Sequence, residues 1–319
     1  MSNSPILAII IPAYNEEENI QKTTKRLIEI IDELVSSSVI SDGSFIYYVD
    51  DGSKDKTWAL IKEFNEKYSH RVKGLKFSRN FGNQKAILAG LTEVVKYGVD
   101  CAISIDADLQ QDETKIKEFV EKYQAGAQIV CGIRNDRKTD EFFKKFTALA
   151  FYKLMNILGV GIKMNHSDYR LIGKEALSIL SSYHETNLFL RGIFSELGLK
   201  TDYVYFDVKK REFGYSKFTP LSLYVLALNG ITSFSLAPLR LVTVIGFILS
   251  FVSFVIGLSA LYDKVIRHST VPGWATIVVA FAFLSGIQIL CLGIMSEYLG
   301  QLFQEVKARP RYIKEVELN

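Results

Sequence analysis

The sequence predicts an α/β fold: a doubly wound, mostly parallel sheet, followed by interface helices and two transmembrane helices. Three observations predict it. Through the first 135 residues, short apolar runs alternate with amphipathic helical segments, the pattern of strands covered on both faces by crossover helices. Each apolar run ends on polar residues or glycine. Residues 241–262 and 271–296 hold no charged residue, and each is long enough to cross a hydrocarbon core of about 30 Å as a helix.

The elements follow in order. Residues 6–11 form the first strand, and 17–34 carry apolar residues at helical spacing. A second strand at 45–49 precedes a helix starting near Asp55. Strands at 74–77, 101–105 and 128–131 alternate with helices at 85–96 and 113–123. Residues 139–160 read as a helix with Phe142, Phe146, Leu149, Tyr152 and Leu158 inward; 166–200 continue α/β, and 201–210 alternate as a strand. Residues 219–236 are apolar and uncharged but broken by Pro220 and followed by Pro238, which predicts a helix lying in the membrane interface; 301–307 predict another.

The expected organisation is therefore a catalytic domain at 1–218, an interface helix at 219–238, spans at 239–262 and 271–297, an extracytoplasmic loop at 263–270, and an interface helix and tail at 298–319. Lys209, Lys210, Arg211, Lys217 and Arg240 precede the first span, and Lys307, Arg309, Arg311 and Lys314 follow the second. Only Lys264 and Arg267 lie between them. This asymmetry places both termini in the cytoplasm.

Composition narrows the partners. A net charge of +3 without a long basic run argues against nucleic acid. Cys101, Cys131 and Cys291 have no CxxC spacing, as expected of buried thiols in a reducing compartment. His70, His166, His184 and His268 show no metal-ligand spacing, and the start of the chain lacks the basic region of a secretory signal.

In sheets of this kind ligands bind at the carboxyl ends of the strands, where the polar residues converge: "PAYNE" at 12–16, "DDGS" at 50–53, "SRNFG" at 78–82, "DAD" at 106–108 and "GIR" at 132–134. Asp106 and Asp108 repel each other unless a cation intervenes, and a divalent ion carried by a nucleotide diphosphate supplies it. The same pair also suits two solvated helix-capping aspartates. Tyr14 can stack on a base, and Glu16 can accept a hydrogen bond. Asn15 also fits the N-cap of the following helix. Asp51 can accept from a uracil imide, while Gly52 with Ser53 or Asp55 reads equally as a turn and cap. No GxGxxG or P-loop is present.

Taken together, "IIIPAYNEEENI", "VDDGSKDKT", "SRNFGNQKA", "DADLQ" and "SDYRLI" resemble, in order and spacing, the inverting family 2 glycosyltransferases of GT-A fold. With "FGYSKF" ahead of two apolar segments, the chain is similar to the polyprenyl-phosphate glycosyltransferases, which include dolichol-phosphate mannose synthase and the bactoprenol glucosyltransferases. The resemblance implies a nucleobase cradle of Pro12, Ala13, Tyr14, Glu16 and Asp51. It implies that Asp106 and Asp108 hold Mg²⁺ or Mn²⁺ and the diphosphate with Gln110 beside them, and that Asp168 is the catalytic carboxylate. One departure stands out: many relatives continue "DLQDPP", where this chain has Gln110-Gln111-Asp112-Glu113.

The reaction so implied moves a hexose, UDP-glucose being the first donor and UDP-N-acetylglucosamine an alternative, onto undecaprenyl phosphate at the bacterial plasma membrane. Two anions must meet, so cations are expected around the acceptor phosphate: Arg134, Arg137, Lys145, Arg211 and Lys217, with Ser216 as a donor. For Arg211 and Lys217, attraction to anionic headgroups is the plainer alternative. The resemblance also implies a homotetramer. A non-catalytic membrane scaffold is the reading from another class. A processive polysaccharide synthase is a third reading; that class usually carries a Gln-x-x-Arg-Trp motif and more spans, and this chain has neither, since neither Trp58 nor Trp274 fits the motif.

Overall fold

The computed structural model describes residues 4–135, 166–183, 185, 190–208, 237–266 and 273–319. Its helices are α1 (Glu17–Ser36), α2 (Thr57–Lys67), α3 (Asn83–Glu93), α4 (Ile116–Gln124), α5 (Lys174–Ser182), α6 (Leu190–Glu196), α7 (Ala237–Val265) and α8 (Trp274–Val306). Its strands are β1 (Leu7–Ala13), β2 (Phe45–Asp50), β3 (Val72–Phe77), β4 (Cys101–Ser104), β5 (Ile129–Arg134), β6 (His166–Gly173), β7 (Thr201–Phe206) and β8 (Lys314–Leu318).

These strands form one eight-stranded sheet in the order β7-β5-β6-β4-β1-β2-β3-β8. The central β4-β1-β2-β3 set is parallel. All of β1 and β2 is buried, as expected where helices cover both faces. Alternate residues feed two cores. Ile9 and Ile11 face α1, α2 and α4 with Leu27, Ile61 and Phe119. Ala8 and Ile10 face α3, α5 and α6 with Leu88, Leu177 and Ile193.

Two strands run against the rest, and the first of them positions the site. β6 lies antiparallel between β4 and β5, pairing Ser104 with Arg170 and Cys131 with Arg170. It carries the Ser-Asp-Tyr-Arg motif alongside the end of β4. β8 pairs antiparallel with the edge strand β3, Leu75 opposite Glu317.

The tail differs from expectation. Residues 301–306 continue α8 without a break, and 314–318 are a strand of the sheet, not part of an interface helix. From Glu315 the strand alternates polar and apolar side chains through Val316, Glu317 and Leu318, and β3 offers an unpaired edge to receive it.

Among the described residues, one segment, Val279–Val306 in α8, is long and apolar enough to cross a membrane, and Val242–Ile256 in α7 is a shorter apolar stretch. Their apolar side chains are largely uncovered: Phe247 is 79% exposed and Phe281 73%. The expected helices at 139–160 and 219–236 lie outside the described residues.

Candidate active site

The first two strand ends lock onto each other. Asn15 adopts a left-handed backbone (φ 52°). Its amide donates to Ser53 Oγ at 2.9 Å, and its own Oδ1 accepts from the Lys54 amide at 2.9 Å. The Glu16 amide donates to Thr57 Oγ1, and the Glu17 amide to Asp55 Oδ2. Asn15 is thus a brace between loops. The helical cap position of α1 falls on Glu16. Pro12 and Ala13 are buried within β1; Tyr14 and Glu16 are half-buried on the open side.

Asp50 and Asp51 end β2. Asp51 is 3% exposed, and its carboxylate accepts the Phe81 amide at 2.6 Å and the Gly82 amide at 2.9 Å. Burial pushes its carboxyl above the ordinary value, opposed by those two amides. The loop it holds passes so close that a Cβ on Gly52, already at φ +70°, would stand 2.6 Å from Arg79 Cα. Glycine is what that crossing permits.

At the end of β4, Asp106 and Asp108 are half-buried in a turn with Leu109 left-handed at φ 49°. Asp108 Oδ1 accepts the Gln110 amide at 3.1 Å. Gln111, 2% exposed, takes the Asp106 N–H on Oε1 at 3.0 Å and donates from Nε2 to Asp106 Oδ2 at 2.7 Å and to Ser167 Oγ at 3.3 Å. Asp112 caps the 3₁₀ turn Glu113–Lys115 by accepting the Thr114 amide.

Neighbouring β6 delivers Asp168. Ser104 Oγ donates to the Asp168 carbonyl at 2.5 Å, and Gln84 Nε2, in the first turn of α3, lies 3.4 Å from Asp168 Oδ2. Arg170, two residues on and so on the same face, is 3% exposed with its guanidinium 4.6 Å from the Phe194 ring centroid. On the opposite face Tyr169 packs on Phe119 and Phe206 and donates to the Asp112 carbonyl.

The sheet therefore brings Pro12, Ala13, Tyr14, Glu16, Asp51, Asp106, Asp108, Gln110 and Asp168 to one edge. Arg134 is exposed at the corresponding end of β5. Arg137, Lys145, Arg211, Ser216 and Lys217 lie outside the described residues. Sequence reasoning missed Gln84 and Ser104 and left Gln111 without a role, although the departure at 111 was itself the signal. Among the described residues no group of three or more His, Cys, Asp and Glu converges. Two hard carboxylate oxygens at a half-open edge fit an ion that completes its coordination with phosphate oxygens and water, as Mg²⁺ does.

Comparison with known proteins places the chain in context. Residues 8–180 match the family described as Glycosyl transferase family 2. A Bacillus subtilis (strain 168) protein named uncharacterized glycosyltransferase YkoT is 46% identical over 316 residues, 99% of this chain and 93% of that protein. The bactoprenol glucosyl transferase of Shigella phage SfX is 38% identical over 308 residues, covering 96% of this chain and 98% of its own. A prophage bactoprenol glucosyl transferase homolog of Escherichia coli (strain K12) is 39% identical, with 96% and 97% covered.

Proposed function

The chain belongs to glycosyltransferase family 2, and on that premise we propose that it moves a glucosyl group from UDP-glucose to a polyprenyl phosphate, undecaprenyl phosphate in a bacterial membrane, with inversion at the anomeric carbon. The observation that carries the reading is the similarity to proteins named bactoprenol glucosyl transferases, which runs through the apolar helices as well as the sheet.

The chemistry asks little of a base. The second phosphate pKa is near ~6, so the acceptor oxygen is already a nucleophile at neutral pH. That oxygen forms a bond to the anomeric carbon while the bond to the nucleoside diphosphate breaks. Asp168 orients the acceptor or the sugar and accepts any residual proton. Tyr14, Glu16 and Asp51, with the Pro12-Ala13 backbone, hold the base; Asp51 does so while bracing the 79–82 loop. Asp106 and Asp108 would hold Mg²⁺ or Mn²⁺ beside Gln110, an ion that when bound would supply positive charge to the leaving diphosphate. Arg134, exposed at the end of β5, is assigned to the acceptor phosphate, with Arg137, Lys145, Arg211, Ser216 and Lys217 completing the expected cationic lining.

The helices supply location. α7 and α8, 29 and 33 residues long, are about 43 and 50 Å at 1.5 Å per residue. Both are read as spans, with both termini cytoplasmic and the sheet facing the nucleotide pool. The acceptor then keeps its tail in the bilayer while its phosphate meets the strand ends. A homotetramer is the assembly expected from the family.

The test is incubation of membranes holding the protein with a panel of labelled nucleotide sugars and undecaprenyl phosphate, with and without EDTA. Label from UDP-glucose is expected in the lipid fraction, and EDTA should abolish it. Transfer only from UDP-N-acetylglucosamine would reassign the donor, and no lipid product from any donor would overturn the reading.

A further inference from the structure

We propose that Gln111 is a positioning residue: its side-chain amide fixes Asp106 for metal binding and ties that carboxylate to the strand carrying Asp168. The inference rests on the glycosyltransferase reading above and goes beyond it, because none of the expected roles falls on this residue.

The geometry is specific to an amide. Oε1 accepts the Asp106 N–H at 3.0 Å, and Nε2 donates to Asp106 Oδ2 at 2.7 Å. One side chain thus engages both the backbone and the carboxylate of the same residue. Only a group with an acceptor and a donor side by side can do this; a carboxylate at 111 would set a like charge against Oδ2. The second Nε2 hydrogen reaches Ser167 Oγ at 3.3 Å, and that oxygen accepts the Tyr169 amide at 3.2 Å. Gln111 is 2% exposed and Ser167 1%, so water does not compete for these bonds.

The position explains the need. Asp106 lies two residues beyond the end of β4, in a turn where Ala107 is buried and Asp108, Leu109 and Gln110 are half-buried. A carboxylate there can rotate about χ1 and χ2. One charge-assisted hydrogen bond from the buried amide reaches the carboxylate, and the Asp106 N–H donating to Oε1 anchors that amide, so the carboxylate is oriented before any ligand arrives. Partners that orient a metal-binding carboxylate typically change metal affinity by about 10- to 100-fold when removed. The Ser167 link adds a second consequence: the backbone bearing Asp168 moves only if the Asp106 group moves with it.

Two variants test this on the full chain in detergent, with Mn²⁺ as the probe in the presence of UDP. Gln111→Met keeps the volume and removes both hydrogen-bonding atoms. Gln111→Asn keeps the amide but is one methylene too short to span the same pair. Both should weaken Mn²⁺ binding, read by electron paramagnetic resonance, by about 10- to 100-fold, with a lower kcat and an unchanged KM for the polyprenyl phosphate. UDP binding in EDTA reports whether each variant is folded; if Gln111→Met loses it, Gln111→Asn decides. Mn²⁺ affinity within twofold of the unaltered protein in a folded variant would overturn the inference. Absence of Mn²⁺ binding by the unaltered protein would overturn the metal reading and this inference with it.

Discussion

Asp50 and Asp51 are adjacent in sequence and opposite in situation. Asp51 spends both oxygens on backbone amides. Asp50 is fully buried, uses Oδ1 for the Ser53 amide and leaves Oδ2 without a partner. Burial raises its carboxyl above the ordinary value despite the Ser53 contacts. A raised carboxyl favours the folded state below the unfolded pKa and loses that contribution as pH rises through the folded value. Asp50→Asn should therefore raise the unfolding midpoint at pH 7.5, by about 2–4 °C, and change it little at pH 4. A lower midpoint at pH 7.5 would contradict this. Asp168→Asn and Asp108→Ala should each reduce transfer by more than about 100-fold with the unfolding midpoint retained; normal turnover by either removes that residue from the site. Asp106, Asp108 and Asp168 were legible because motif spacing marks them. Gln84 and Ser104 were not, because both meet Asp168 from 84 and 64 residues away; Gln111 meets Asp106 only five residues off, but the turn that aims its amide back at that carboxylate, and its link to Ser167 56 residues away, are tertiary features.

At the scale of elements, the strands and helices of the first 135 residues follow from apolar periodicity, and their bounds shift by only a few residues; the strand read at 128–131 is Ile129–Arg134. Period reports burial, not neighbours or direction, so the antiparallel insertion of β6 between β4 and β5 was not legible. Nor was β8, whose five residues are too few and too charged to stand out. Its docking rests on the backbone ladder with β3 and on neighbouring contacts. Tyr312 stacks on Phe77 at 4.8 Å, Lys314 lies 2.6 Å from Glu93, Lys96 pairs with Glu317, and the Ser78 amide donates to the Ile313 carbonyl at 3.0 Å. Burial works against the Glu93 charge, but Lys314, Tyr312 and Lys96 hold its carboxyl below the ordinary value. Deleting residues 314–319 should lower the unfolding midpoint and promote aggregation through the bared β3 edge, measured by light scattering on heating; unchanged behaviour would show that the strand is dispensable. Gly52→Ala should cost more than about 1 kcal/mol, from the left-handed backbone and the Arg79 contact together, and should weaken UDP binding because the 79–82 loop must move. An Ala variant with native stability would contradict the close approach.

For the whole molecule, one sheet edge that gathers the candidate site residues is joined to helices whose described apolar side chains are largely uncovered. A strand of that same sheet, β8, begins eight residues after α8 ends, so the last helix is attached to the sheet at a short, defined distance. The chain should stay in the membrane pellet through alkaline carbonate extraction, and release into the supernatant would contradict its insertion. Composition made the apolar helices legible. Arg134, Arg137, Lys145, Arg211, Ser216 and Lys217 were named around the acceptor from charge and position alone, and cation placement depends on tertiary neighbours that neither charge nor spacing specifies. Purified protein should convert UDP-glucose and undecaprenyl phosphate, with Mg²⁺ or Mn²⁺, into a glucosylated polyprenyl phosphate seen by mass spectrometry, with one UDP released per lipid product. UDP released without that lipid, or neither product formed under any metal, would contradict it.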